Sequence, residues 1–277
     1  MTDYLPERIV CLTEETTETL YLLGEQRRIV GISGYTVRPP EARREKPRVS
    51  AFTSAKTDKI LALKPDLVLG FSDLQADIAA ELIRHGLNVY IFNQRSVTGI
   101  LEMIITLGSL VGAQEKAMRW VQAFEKKASI LKQQAHHRIQ QTGHSPPKVY
   151  FEEWYDPIIT GIQWVAEIVE LAGGQDCFPE LSHCCLAKDR IVADPAEVVR
   201  RQPDIIIGSW CGRKFRPEKL LERKGWSELP AVADGQVFEI KSSEILQPGP
   251  AALTDGLEQV TTIIDRWYAR QDTGVAQ

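Results

Sequence analysis

Apolar residues along the chain fall into two patterns. Short blocks of bulky residues, RIVCL at 8–12, RIVGI at 28–32, DLVLG at 66–70 and NVYIF at 88–92, read as buried strands. Between them lie stretches with helical spacing: the Thr/Glu-rich turn that leads into a helix ending at Leu23–Gly24, then Thr57 onward, then Ala76 to His85. Strands alternating with helices predict a mostly parallel sheet covered on both faces. Ala113 to Gln141 contains no Gly or Pro and carries apolar residues at Ala117, Val121, Phe124, Ala128, Leu131, Ala135 and Ile139. Steps of three and four predict one unbroken helix with a buried stripe and a wet back. The segment SGYTVRPPEARREKPRVSAF, with Pro39, Pro40 and Pro47, reads as a long loop of functional length.

The chain also repeats itself. Ile60-Leu61-x-x-Lys64-Pro65-Asp66-Leu67-Val68-Leu69-Gly70 is matched, 138 residues on, by Val198-Val199-x-x-Gln202-Pro203-Asp204-Ile205-Ile206-Ile207-Gly208. Each copy has an apolar pair that anchors a helix, a Pro that stops it, three residues of buried strand, and a Gly at the carboxyl edge, where open α/β sheets bind ligands. Arg8–Leu12 is echoed by Lys148–Glu152, and Asn88–Phe92 by Gln236–Ile240. The expected fold is therefore α/β, with two Rossmann-like lobes of mostly parallel sheet joined by one long helix. Residues 1–111 form the first lobe, 112–143 the link and 144–277 the second lobe.

Composition narrows the function. A chain of 277 residues, 43% hydrophobic, can bury a large core. A net charge of −4 offers no basic field for nucleic acid, and no apolar run is long enough to insert into a membrane. Five cysteines without framework spacing, and no apolar run ahead of the first strand, point to a reducing, cytoplasmic location. A removed leader would make the protein periplasmic instead. The run Cys177, His183, Cys184, Cys185 lacks the spacing that closes a zinc site, and His136–His137 reads as solvated helix surface, so no metal site is expected. No nucleophile elbow, dinucleotide fingerprint, Walker run or D-x-H-x-x-G of corrinoid enzymes occurs, so no catalytic residues are assigned.

RIVCL with Thr17–Glu18, the VGISGY and Pro39–Pro40 loop, the KPDLVLG run, the long helix, TGIQWVAEIVELAGG, PDIIIG and QPGPAALTDGLEQV occur in this order over nearly the whole chain. On these residues the chain resembles the helical-backbone (class III) substrate-binding proteins of ABC importers for cobalamin, ferric siderophores and haem. It is most similar to the cobalamin-binding branch.

The resemblance implies no catalysis and a corrinoid (cobalamin-like) ligand held in a cleft between the lobes. Tyr35 and Phe52 would meet that ligand from the first lobe. From the second, Glu153, Trp154, Tyr155, Trp164 and Trp210 would line the same rim, supplying aromatic planes and a few hydrogen-bonding tips. An anionic iron chelate would instead want Arg beside the rings, and Arg38, Arg213 and Arg216 could serve. A siderophore or haem ligand, or a chelatase-like corrinoid-processing enzyme, is the rival reading. The family's paired permease-docking Glu residues map to Asp58, a shorter carboxylate, and Ala196, which has none, with Glu197 beside it. The resemblance implies an ABC permease as partner, with one of the two docking contacts absent or displaced, and a role in corrinoid uptake or intracellular handling.

Overall fold

The computed structural model describes residues 4–274 and divides the chain into two compact units. One runs as far as Phe124 and takes back Gln247–Ala251; the other comprises Glu125–Leu246 and the chain from Ala252 onward.

The first unit holds five strands, β1 (Ile9–Cys11), β2 (Ile29–Ser33), β3 (Arg48–Ser50), β4 (Leu67–Phe71) and β5 (Val89–Phe92). They lie in the order β3-β2-β1-β4-β5, and every pairing is parallel. Val10, Leu12, Val49, Ile60, Val68, Ile78 and Leu82 pack one of its cores. The segment expected as a loop is partly ordered. Pro40 starts a helix, Pro40–Glu45, where its missing N–H costs nothing, and Val49 is buried in an edge strand beside β2. Three residues of strand carry too little periodicity to be seen in sequence.

The second unit holds β6 (Lys148–Tyr155), β7 (Ile158–Thr160), β8 (Gln175–Asp176), β9 (Ile205–Gly208) and β10 (Val237–Glu239). The path is β10-β9-β6-β7, with β8 beside the start of β6. All pairings are parallel except β6 with β7, a tight hairpin closed at Asp156–Pro157. The register shifts between Glu152 and Trp154, so that Trp154 and Tyr155 pair with Ile159 and Ile158 at the hairpin's end. The core gathers Tyr150, Phe178, Trp210, Phe215 and Trp226.

The helix that links the lobes runs Gln114–Thr142, 29 residues and about 43 Å at ~1.5 Å per residue. Its stripe is buried at Ala117, Val121 and Phe124 and only half-buried at Leu131, Ala135 and Ile139.

The duplication is physical. Helix Thr57–Ala62 and helix Ala196–Arg201 each end before the repeated Pro, and Lys64 and Gln202 both adopt positive φ, 47° and 50°. The repeated Asp then clamps the neighbouring central strand: Asp66 accepts from the backbone N–H of Arg8 at 3.0 Å, and Asp204 from that of Lys148 at 2.8 Å.

Candidate functional site

A cavity of about 400 Å³ opens in the second unit, lined by Trp154, Tyr155, Trp210, Arg213, Lys214, Arg216 and Lys219. Two segments make it. The β6–β7 hairpin carries Trp154, whose indole N–H donates to the Asp156 carbonyl at 2.9 Å, and Tyr155. The loop after β9 and the helix Pro217–Leu221 that follows it carry the rest. In that loop the alternation Arg213-Lys214-Phe215-Arg216 sends Phe215 inward and leaves the cations outside. Phe215 lies flat against the strand end because Gly208 has no side chain: a Cβ there would sit 2.0 Å from the ring. Its backbone N–H also donates to Glu239 at 3.0 Å.

The walls are aromatic and the rim is cationic. Tyr155 and Trp210 stand 5.1 Å apart, tilted by 42°, and Phe215 meets Trp210 edge-on at 5.1 Å. The Arg213 guanidinium lies 5.1 Å from the centroid of Trp154, within cation–π range. Lys219 is paired with Glu222 at 2.7 Å, while Arg213, Lys214 and Arg216 are exposed. Such a recess accepts a ligand with a flat apolar face and negative or carbonyl groups at its edge. A second hollow in this unit, about 650 Å³, offers one ring, Phe238, among four carboxylates, Gln259, Thr262, Ile263 and the cations Lys241 and Arg266.

Behind the walls, Glu152 is fully buried. Burial raises its carboxyl, and hydrogen bonds from Arg223, Tyr150 and Trp210 oppose that rise. Burial likewise pushes the Tyr150 phenol well up. Neither Glu152 nor Arg223 is among the site residues expected from the sequence.

Two residues expected on the rim are elsewhere. Trp164 is 4% exposed, a core side chain whose indole N–H donates to the Ile245 carbonyl at 2.9 Å. Its place in the first turn of helix Gln163–Leu171 turns it inward. Glu153 alternates with Glu152 on β6 and forms an ion pair with the buried Arg190 at 2.5 Å, so its carboxylate is committed. Arg190 also donates to the carbonyls of Thr160 and Cys184.

In the first unit Tyr35 follows β2 and is 59% exposed, and Phe52 follows β3 half-buried, its carbonyl accepting from Gln75 at 2.9 Å. Arg38 bonds Glu18 at 3.1 Å. Asp58 is exposed in the first turn of helix Thr57–Ala62, whereas Glu197 is held by Arg200 at 2.6 Å and Arg201 at 2.8 Å. Cys177 is buried, its thiol pushed up to about 12, and Cys185 is exposed.

Two α/β lobes on a linking helix, with an aromatic recess at a sheet's carboxyl edge, define a binding protein of small molecules. The chain belongs to the Periplasmic binding protein family, which matches residues 9–244. It is 26% identical over 263 residues to the vitamin B12-binding protein of Vibrio cholerae, spanning 93% of this chain and 89% of that one. Among solved structures it is similar to the periplasmic vitamin B12 binding protein BtuF of Vibrio cholerae (TM-score 0.73, 24% identity, 95% and 98% of the two chains). It is also similar to a periplasmic haem binding protein from Pseudomonas aeruginosa (TM-score 0.77, 18% identity, 94% and 93%). The protein is a non-catalytic substrate-binding protein, in a family that delivers ligands to ABC permeases. The cytoplasmic location expected from the sequence is corrected by this membership, because proteins of this kind work outside the cytoplasm.

Proposed function

We propose that the chain binds a corrinoid, with one edge of the macrocycle entering the recess of Trp154, Tyr155 and Trp210. The observation that supports this most is the three rings on one cavity: the half-buried Trp154 and Tyr155 offer apolar surface to a corrin face, the buried Trp210 packs against Tyr155, and the rim cations suit the ligand's amide and phosphodiester fringe. A volume of about 400 Å³ takes part of such a ligand rather than all of it. The B12-binding relatives support the same reading. Tyr35 and Phe52 are proposed as the first lobe's own ligand contacts, and the exposed Asp58 as a contact for an ABC permease. Glu197, tied to two arginines, would have to exchange those partners to take part.

A second reading is a haem or ferric siderophore. Three exposed cations on one recess, Arg213, Lys214 and Arg216, exceed what a single phosphodiester requires, and propionates or catecholates would use more of them. The test is to mix the protein separately with hydroxocobalamin, hemin and a ferric hydroxamate, desalt, and record visible absorption. A corrin spectrum at one equivalent per chain supports the first reading. Retention of hemin or the ferric chelate alone replaces it with the second, and a colourless protein in all three defeats both.

A further inference from the structure

Glu152 and Arg223 form a buried ion pair directly behind the recess, with side chains 0% and 11% exposed. Glu152, on β6, accepts hydrogen bonds from the Tyr150 hydroxyl at 2.8 Å, the Trp210 indole N–H at 3.1 Å, and Arg223 at 2.5 Å from Nη1 and 3.2 Å from Nη2. Arg223 Nη2 also donates to the Tyr155 carbonyl at 2.7 Å. The guanidinium lies 4.4 Å from the Trp226 ring centroid and 5.5 Å from that of Tyr155.

We infer that the Glu152–Arg223 pair is the positioning element of the ligand-binding wall, setting the angle between Trp210 and Tyr155 for a flat ligand. Trp210 comes from the loop after β9 and Tyr155 from the β6–β7 hairpin. Both pack on one hydrophobic cluster, and among the described residues both are hydrogen-bonded by this pair: Trp210 through its N–H, Tyr155 through its main-chain carbonyl. An apolar filler of equal volume would give the core as much stability as a buried ion pair does. The directed bonds add to the packing of the buried Trp210 indole a preferred orientation that apolar contact alone does not specify. Glu152 and Arg223 act through the rings rather than by touching the ligand, and the inference rests on the recess being the binding site.

The control is built into the same strand. Glu153 and Arg190 form an equally committed buried pair whose recorded bonds reach Thr160 and Cys184 and neither wall residue. Purified Glu152→Gln, Arg223→Met, Arg223→Lys and Arg190→Met proteins are compared with wild type by thermal melting, by titration with hydroxocobalamin and with hemin, and by near-ultraviolet circular dichroism of the tryptophans. The expected result is an affinity loss of about tenfold or more for Glu152→Gln and Arg223→Met, about 1.4 kcal/mol per tenfold. Arg223→Lys should recover part of it, and Arg190→Met should stay within about twofold of wild type, a change small against that tenfold loss, even where it melts as early. The tryptophan dichroism should change in Glu152→Gln and Arg223→Met without ligand and be kept in Arg190→Met.

Wild-type affinity in folded Glu152→Gln and Arg223→Met overturns the inference, as does an equal loss in Arg190→Met. If Glu152→Gln fails to fold, the two Arg223 variants decide. If wild type binds neither probe, the binding reading fails on its own account. The dichroism then decides whether the pair orients the rings, and unchanged dichroism in Arg223→Met overturns it.

Discussion

The carboxylate of Asp66 holds the backbone N–H of Arg8 at 3.0 Å, and in return the Asp66 N–H donates to the Arg8 carbonyl at 3.0 Å. Asp204 and Lys148 make the same two bonds at 2.8 and 2.9 Å. The repeated Pro-Asp is thus a strand-to-strand clamp used once in each lobe. Asp66→Ala should cost about 1 kcal/mol, near the low end for a charged acceptor because Asp66 is exposed, and Asp204→Ala, half-buried, about 1 to 2 kcal/mol. The double variant should lose the sum, since the residues share no partner. Urea unfolding followed by fluorescence measures this, and a double variant no weaker than either single one would refute it.

Gly70 and Gly208 are equivalent in the repeat but unequal in their surroundings. A Cβ on Gly208 would meet the Phe215 ring at 2.0 Å, whereas one on Gly70 would meet the ends of the Gln75 and Ile91 side chains at 2.7 Å. Gly208→Ala should cost roughly 2 kcal/mol or more by overpacking, and Gly70→Ala less. Gly208→Ala should also weaken ligand binding, because displacing Phe215 moves the cationic loop. Paired melts and titrations check both parts.

Glu15 stands at the start of helix Glu14–Leu22, 1% exposed, with Thr13 Oγ1 donating to it at 2.6 Å. Burial, then the charge of Glu14, raises its carboxyl to about 8. A folded value above the unfolded one means the neutral acid is favoured in the fold. The stability this provides is complete below about pH 4.5 and is lost as pH rises to about 8, a change on the order of 4 kcal/mol. Glu15→Gln should flatten that fall between pH 5 and 8 and leave the protein more stable than wild type at pH 8. Thermal melts across this range provide the check; identical pH profiles would contradict it.

Trp164 and Trp154 should separate folding from binding. Trp164→Phe removes the N–H that satisfies the Ile245 carbonyl and should lower stability by about 1 kcal/mol while leaving ligand affinity unchanged. Trp154→Ala should leave the melt close to wild type and weaken binding about tenfold through lost stacking. Calorimetric titration with hydroxocobalamin measures the second; the reverse pattern would show that Trp164, not Trp154, meets the ligand.

Sequence alone determined the architecture. Helix–strand alternation, the uninterrupted run from Ala113 to Gln141 and the duplicated Pro-Asp blocks report local rules, and those rules hold because each element's period and stop signal lie within a few residues. It also drew attention to Trp154, Tyr155 and Trp210, which line one recess. What it could not separate was Trp164 from Trp154, or Glu153 from a free carboxylate. Burial and pairing depend on residues distant in the chain: Ile245 for Trp164, Arg190 for Glu153, and Arg223, 71 positions away, for Glu152. Tertiary structure alone decided that Arg223 is buried against Glu152, and that two glycines with one sequence context bear different neighbours. A hydrogen bond or a steric contact is a property of a pair, and the sequence around either member does not name the other.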